Sequence, residues 1–214
     1  MVGAYELRYN VYCIERRFLN ANDYPDGCET DGYDAESAHF VAHNLKGELV
    51  GYVRLVPPDA SDDLPFEQYC VPLPGHATPP RAQCGEISRL MVRQDYRRRR
   101  GDTLAGSPLL DGIVTTASWH DRRSHSPRIL LSLYRQLYQY SLANGIRYWY
   151  AAMERALARS LQHLDFGFQQ ISDEADYFGP VAVYLADLRE LEARLQRVQP
   201  DLLDWMRARD ADIA

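Results

Sequence analysis

The chain reads as a single α/β protein of α+β character, in which helices flank one mixed sheet. Three observations carry that reading. Two β-type runs, HFVAHN and LVGYVRLVP, bracket a turn containing Gly47, which is the pattern of a hairpin. A further run, GEISRLMV at 85–92, sets Ile87, Leu90 and Val92 against Glu86 and Ser88, close to the period of a strand. Beyond residue 126, helix and strand patterns take turns to the end of the chain.

The elements follow in order. In AYELRYNVYCIERR, Leu7, Val11 and Ile14 fall about one helical turn apart, predicting a first helix over 4–17. The chain begins almost inside this helix, which leaves room for a longer natural first element. Residues 19–37 are rich in Asn, Asp, Gly and Pro and read as loop. After the hairpin, residues 57–83 carry seven prolines and are expected to be irregular, with one short helix in LPFEQYC. Residues 101–127 lack periodicity and are expected to form a flexible insertion. SPRILLSLYRQLYQYSLANG has Pro near its start, apolar residues at 130, 133, 137 and 140, and Asn-Gly at its end, predicting a helix. A strand (IRYWYAAM), a helix over 154–164, strands near GFQQIS and YFGPVAVYLADL, and a charged helix over 187–208 complete the order. We expect a catalytic domain over 1–188 and a helical extension over 189–214.

Composition limits the function. With 214 residues there is enough chain for a sizeable core. No apolar run approaches the roughly 18 residues that span a bilayer, and MVGAYELRYN lacks the order of a signal peptide. A cytoplasmic protein without stable membrane insertion is expected. Cys13, Cys28, Cys70 and Cys84 form no CxxC pair and are read as reduced thiols, and the six histidines show no ligand spacing, so no metal is expected. A net charge of −6 argues against nucleic acid as partner. Against that charge, Arg93 and Arg97–Arg100 make a compact basic spot, either a solvated loop or a docking site for an acidic partner or phosphate.

Six polar residues stand out: Arg8, Asp31, Asp34, Arg54, Glu86 and Arg89. Taken singly, each is a surface charge or a structural ion pair. Together they offer acids and arginines along one sheet edge, and buried charges persist only when paired.

The ordered motifs LRYNVYCIER, ETDGYD, GYVRLVP and GEISRLMV resemble those of the acyl-homoserine-lactone synthases and N-acyl amino acid synthases of the acetyltransferase-like (GNAT) superfamily. The resemblance covers roughly the first 95 residues. It implies a GNAT-like fold, with a largely antiparallel central sheet, and acyltransferase activity. It matches Arg8 and Tyr12 to the family's first-helix Arg and aromatic, Asp31 and Asp34 to its acidic pair, Arg54 to its hairpin arginine, Phe66 to a downstream phenylalanine, and Glu86, Ser88 and Arg89 to its Glu-x-Ser-Arg strand. The segment PRILLSLYRQLYQYSLANGIRYWYAAMERALARSLQHLDFGF is similar to acyltransferases associated with PEP-CTERM/exosortase sorting systems.

Two departures shape the substrate expectations. Phe18 stands where many lactone synthases carry tryptophan, which weakens S-adenosylmethionine as acceptor. The run Arg98-Arg99-Arg100-Gly101-Asp102-Thr103 departs from the phosphate loop with which acetyl-CoA enzymes use backbone N–H groups and a helix dipole. It lacks the last small residue and places an anion beside the expected phosphate. This favours an acyl carrier protein over CoA as donor, docked on Arg97, Arg98, Arg99 and Arg100. No tightly bound cofactor is expected.

Aminolysis of a thioester needs a neutral amine, a placed carbonyl and donors for the oxyanion. An α-amine with a pKa near ~8 needs help from a base, and Glu86 is the candidate, unless it serves only to hold Arg89. Arg89 and Arg54 would bind an acceptor carboxylate or order the acidic loop, while Asp31 and Asp34 would tie that loop to Arg8. Backbone N–H groups near Met91 and Val92 would meet the oxyanion. Cys84 has no adjacent histidine in sequence and is disfavoured as a nucleophile. Tyr134, Leu137, Tyr148 and Trp149 either wall an acyl slot or are plain core. The rival readings are a lactone synthase using S-adenosylmethionine, a non-catalytic carrier-docking module, and a CoA-dependent acetyltransferase.

Overall fold

A computed structural model describes residues 1–58, 63–76, 78–97, 126–177 and 179–208, with the side chains of 126 and 127 excepted. The expected insertion lies largely outside them, as do Arg98, Arg99 and Arg100. The elements are α1 (Val2–Tyr9), β1 (Ala38–His43), β2 (Leu49–Val56), β3 (Cys84–Val92), α2 (Ser126–Ala143), β4 (Tyr148–Met153), α3 (Arg155–His163), β5 (Gln169–Gln170), β6 (Ala175–Asp176), β7 (Pro180–Asp187), α4 (Leu188–Val198) and α5 (Pro200–Arg207). The strand order is β1-β2-β3-β4-β7-β5, with β6 also on β7. This is the GNAT-like α/β architecture that the motifs imply, a largely antiparallel sheet flanked by helices.

Two compact units share the chain. One holds Met1–Glu29, Phe40–Val53 and Arg89–Gln136; the other holds Thr30–His39, Arg54–Ser88 and Leu137–Ala214.

In the first unit, α1 passes into a π-helical segment, Asn10–Glu15. Arg16 N donates to Val11 O at 2.9 Å, and Arg17 ends the run at φ 55°. Leu7 and Val11 are buried with Ala4, Tyr52 and Met91. Ile14, expected on the same stripe, is instead 52% exposed, because the wider π turn breaks the 3.6-residue register on which the expectation rests. The hairpin turn closes as its sequence predicts: Asn44 N donates to Glu48 O at 2.9 Å and Gly47 takes φ 77°.

Gly51 is the point where β2 meets α2. A Cβ there would lie 2.6 Å from Ile129 Cγ2 and 3.2 Å from Leu133 Cδ1. Gly51→Ala is therefore expected to overpack the contact and cost about 1–3 kcal/mol, read as a lower urea midpoint with an unchanged slope.

In the second unit, β4 and β7 pair antiparallel over six residue pairs, from Tyr148↔Asp187 to Met153↔Ala182. The parallel ladder of β3 with β4 runs over only three, Cys84↔Tyr148, Gly85↔Trp149 and Glu86↔Tyr150. Val56, Leu64, Phe66, Cys70, Cys84, Tyr150, Ile171 and Val183 form a core cluster. Pro65–Gln68 is the short helix expected in LPFEQYC, of 3₁₀ type.

The charged C-terminal segment is not the single helix expected. It breaks at Gln199, whose ψ of 61° is non-helical, and restarts with Pro200 at the first turn of α5. Asp187 caps α4 by accepting from Arg189 N at 2.8 Å. The expected alternation on β3 also gives way, because Glu86 and Ile87 are both buried, at 1% and 3% exposure. Such a strand carries a polar group inward on purpose or not at all.

Candidate active site

Glu86, Ser88 and Arg89 all lie on β3, and each unit holds a charged cluster of its own.

In the first unit the centre is Glu29, a fully buried carboxylate. Its Oε2 accepts from Arg8 Nε at 2.5 Å and from Arg89 Nε at 3.2 Å, and its Oε1 accepts from Arg89 Nη2 at 3.0 Å. Arg8, itself fully buried, also reaches the Tyr52 hydroxyl and lies over the rings of Tyr5 and Tyr52. Arg89 lies over the Tyr12 ring, 5.0 Å from its centroid, a cation–π contact. Tyr12 in turn meets Phe18 edge to face at 5.9 Å. Met91 and Val92 are buried farther along β3.

The backbone of Arg89 is left-handed, with φ 55°. That conformation costs of order 1–3 kcal/mol for a non-glycine residue and persists where its surroundings over-determine it. The bidentate carboxylate and the tyrosine face are those surroundings.

Burial alone would raise the Glu29 pKa. The hydrogen bond from Arg8 and the charge and hydrogen bond of Arg89 outweigh it and leave the carboxyl below its ordinary value. The folded pKa is depressed, so this contribution to stability is complete above the unfolded value near ~4.3. It is lost as pH falls through the lower folded value. Urea midpoints measured from pH 7 to pH 3 are expected to hold down to about pH 5 and then fall. In Glu29→Gln the part of that fall due to this carboxylate is absent.

In the second unit, Arg54 is fully buried and holds the acidic loop. Its Nη1 donates to Asp31 Oδ1 at 2.5 Å and to Asp34 Oδ1 at 2.8 Å, and its Nε donates to Ser88 Oγ at 3.0 Å. Asp34 Oδ2 accepts from the Asp31 backbone at 2.8 Å, and Asp31 Oδ1 from Tyr33 N at 3.0 Å. The guanidinium thus closes a loop already folded on itself. Glu86 is 1% exposed, and its Oε2 accepts from Phe66 N at 2.9 Å. Phe66 is buried against Tyr150, with centroids 4.8 Å apart.

One expectation is corrected here, the tie of Asp31 and Asp34 to Arg8. Asp31 and Asp34 bind Arg54, whereas the carboxylate partner of Arg8 is Glu29. Arg54 and Arg89 both hold the acidic loop, which is one of the two roles expected of them, Arg89 through Glu29. Glu29 was missed because an acid in a polar loop reads as exposed. Its one sequence signal was its place in ETDGYD, two residues before Asp31.

The basic spot is also partly neutralised. Arg93 pairs with Asp95 at 2.7 Å, and Arg97 pairs with Glu15. Tyr134, Leu137 and Trp149 are core, none more than 1% exposed, and Trp149 Nε1 donates to Ser141 Oγ at 2.9 Å. Tyr148 is half-buried and accepts from Arg189.

Cys84 is a poor nucleophile, because burial pushes its pKa up to about 11 and its Sγ donates to Pro80 O at 3.2 Å. Among the described residues, no group of three or more His, Cys, Asp or Glu is placed to hold a metal ion. No helix among them is long and apolar enough to cross a membrane.

Residues 7–106, just under half of the chain, match the acetyltransferase (GNAT) domain family. No curated protein matches. The family match over this part and the fold of the chain agree, both being of GNAT type.

Solved structures with a similar fold include TofI, crystallised in a ternary complex with an inhibitor and MTA. Its TM-score is 0.63 at 14% identity, over 95% of this chain and 88% of that one. BjaI, a CoA-dependent acyl-homoserine lactone synthase with SAM and isopentyl-CoA, gives 0.60 at 19% identity over 96% and 90%. The synthase LasI gives 0.57 at 17% identity over 87% and 81%.

Proposed function

We propose that this chain is a cytoplasmic N-acyltransferase that moves a fatty acyl group from an acyl carrier protein thioester to the amine of an amino acid. The observation that carries the reading is Glu86. It is a buried carboxylate at the last pair of the β3–β4 ladder, held in place by the Phe66 N–H. A carboxylate so placed, where the parallel pairing ends, suits a base that takes the proton of an attacking amine.

In this reading the amine nitrogen attacks the thioester carbonyl and its proton passes to Glu86, directly or through one water. The C–S bond then breaks, and the carrier thiolate leaves and is protonated. Backbone N–H groups of β3 near Met91 and Val92 stabilise the oxyanion. Arg89 is the second catalytic group. Arg8, Tyr12, Phe18, Asp31, Asp34, Arg54, Phe66 and Ser88 shape the acceptor side. Of the basic spot, Arg93 and Arg97 are already paired, so carrier docking falls to Arg98, Arg99 and Arg100. The sorting-system association rests on the resemblance of the second half of the chain.

A second reading, a lactone synthase that takes S-adenosylmethionine, is favoured by the synthase structures of similar fold. Phe18 in the tryptophan position counts against it. Mass spectrometry of lipid extracts from cells expressing the chain, beside a Glu86→Ala/Arg89→Ala double variant, separates the two. An N-acyl amino acid present only with the unaltered chain is the expected result. An acyl-homoserine lactone in its place establishes the second reading, and identical extracts remove both.

A further inference from the structure

We propose that Glu29 is the positioning residue for Arg89 in the acyl-transfer reaction, a role that rests on the function proposed above. Glu29 sits in no regular element, yet both ends of it are held. Its backbone N donates to Tyr5 O at 3.1 Å on α1, and its carboxylate spans Arg8 and Arg89.

The geometry at Arg89 gives this pairing more than a structural meaning. A left-handed residue within a strand resets the direction in which the following side chains and amides point. Here that residue is Arg89, between Glu86 and the Met91–Val92 backbone. The Nε–Nη2 edge of the guanidinium is taken by Glu29 in a two-point contact, and Tyr12 lies against its face. Two hydrogen bonds to one carboxylate fix both the position and the plane of a guanidinium, which one bond or a bare charge does not. Glu29 therefore sets where the Arg89 guanidinium lies and helps to hold the turn of the β3 backbone.

Shortening the carboxylate by one methylene separates positioning from mere charge balance. Glu29→Asp keeps the charge but cannot reach both arginines with the same two-point geometry, whereas Glu29→Gln keeps the length and loses the charge. Misplacing a reacting group by about 1 Å costs on the order of 100-fold. Glu29→Asp is thus expected to lower kcat about 10- to 100-fold while the KM for the acyl donor changes little. Tyr138→Phe supplies the stability control, since it removes a partly buried hydrogen bond of 2.6 Å to Glu192, between α2 and α4. Its kcat per folded molecule should stay at the parent value.

The readout that does not depend on turnover is NMR of the arginine Nε–H groups. In the parent, the Arg8 and Arg89 signals should be resolved and protected from exchange. In Glu29→Asp or Glu29→Gln, whichever is folded by circular dichroism, the Arg89 signal should shift and lose protection. Parent-like kcat and an unshifted Arg89 signal in either folded variant overturn the role. An inactive parent whose Arg89 signal still responds to Glu29 overturns the proposed reaction and leaves the positioning contact standing.

Discussion

Glu86→Gln is expected to abolish most acyl transfer, by about 100- to 10,000-fold, while leaving the protein folded. The substitution keeps the shape of the side chain. The glutamine carbonyl oxygen still accepts the Phe66 N–H that Glu86 Oε2 accepts at 2.9 Å, so the local backbone keeps its partner. What is lost is the capacity to take a proton. Because Glu86 is only 1% exposed and its carboxylate is engaged by the Phe66 N–H, bulk water is poorly placed to replace it. The loss should lie in kcat more than in the KM for the donor, and raising the pH should recover part of it by supplying deprotonated amine. A variant with parent-like kcat at neutral pH would remove Glu86 as the base and leave it a structural carboxylate.

The second large effect falls on stability. Arg54→Met is expected to cost about 3–5 kcal/mol, because it leaves the Asp31 and Asp34 carboxylates facing each other without their cation. Asp34 is 8% exposed, so water cannot substitute for the guanidinium. The hydrogen bond to Ser88 is lost as well. For a chain of this length the cost corresponds to a melting temperature lower by roughly 10 °C. The triple variant Arg54→Met/Asp31→Asn/Asp34→Asn should regain a large part of it, since the uncompensated charge is then gone. If Arg54→Met alone melts within about 1 °C of the parent, the buried cluster does not hold the loop as the geometry describes.

How far these sites could be read in the sequence follows from the distance over which each is built. The hairpin and α2 announce themselves through local signals, such as the Asn44-to-Gly47 turn and the Pro-to-Gly limits of the helix. The pair Asp31 and Asp34 was legible through its spacing and its resemblance to known synthases, and Arg54 likewise. The pairing itself was not. Nothing local shows that Arg54 takes both aspartates, nor that Arg8 belongs to Glu29, 21 residues away.

The same limit applies to Arg97, whose partner Glu15 lies 82 residues back. Counting charges along the chain therefore overstated the basic spot. The exposure of Ile14 came from a π-helical turn that a 3.6-residue pattern does not contain. The break before α5 was legible in principle, since Gln199-Pro200 disfavours helix at Gln199, but the charged periodicity on either side masked it.

The most direct test is transfer in a purified system. The chain, a long-chain acyl carrier protein thioester and a panel of amino acids would be followed by release of carrier thiol and by mass spectrometry of the product. Thiol release that requires both the chain and an amino acid, gives the matching N-acyl amino acid, and disappears with Glu86→Gln is the predicted result. A folded chain that releases no thiol with any amino acid, from either carrier-bound or CoA-bound acyl groups, would contradict it.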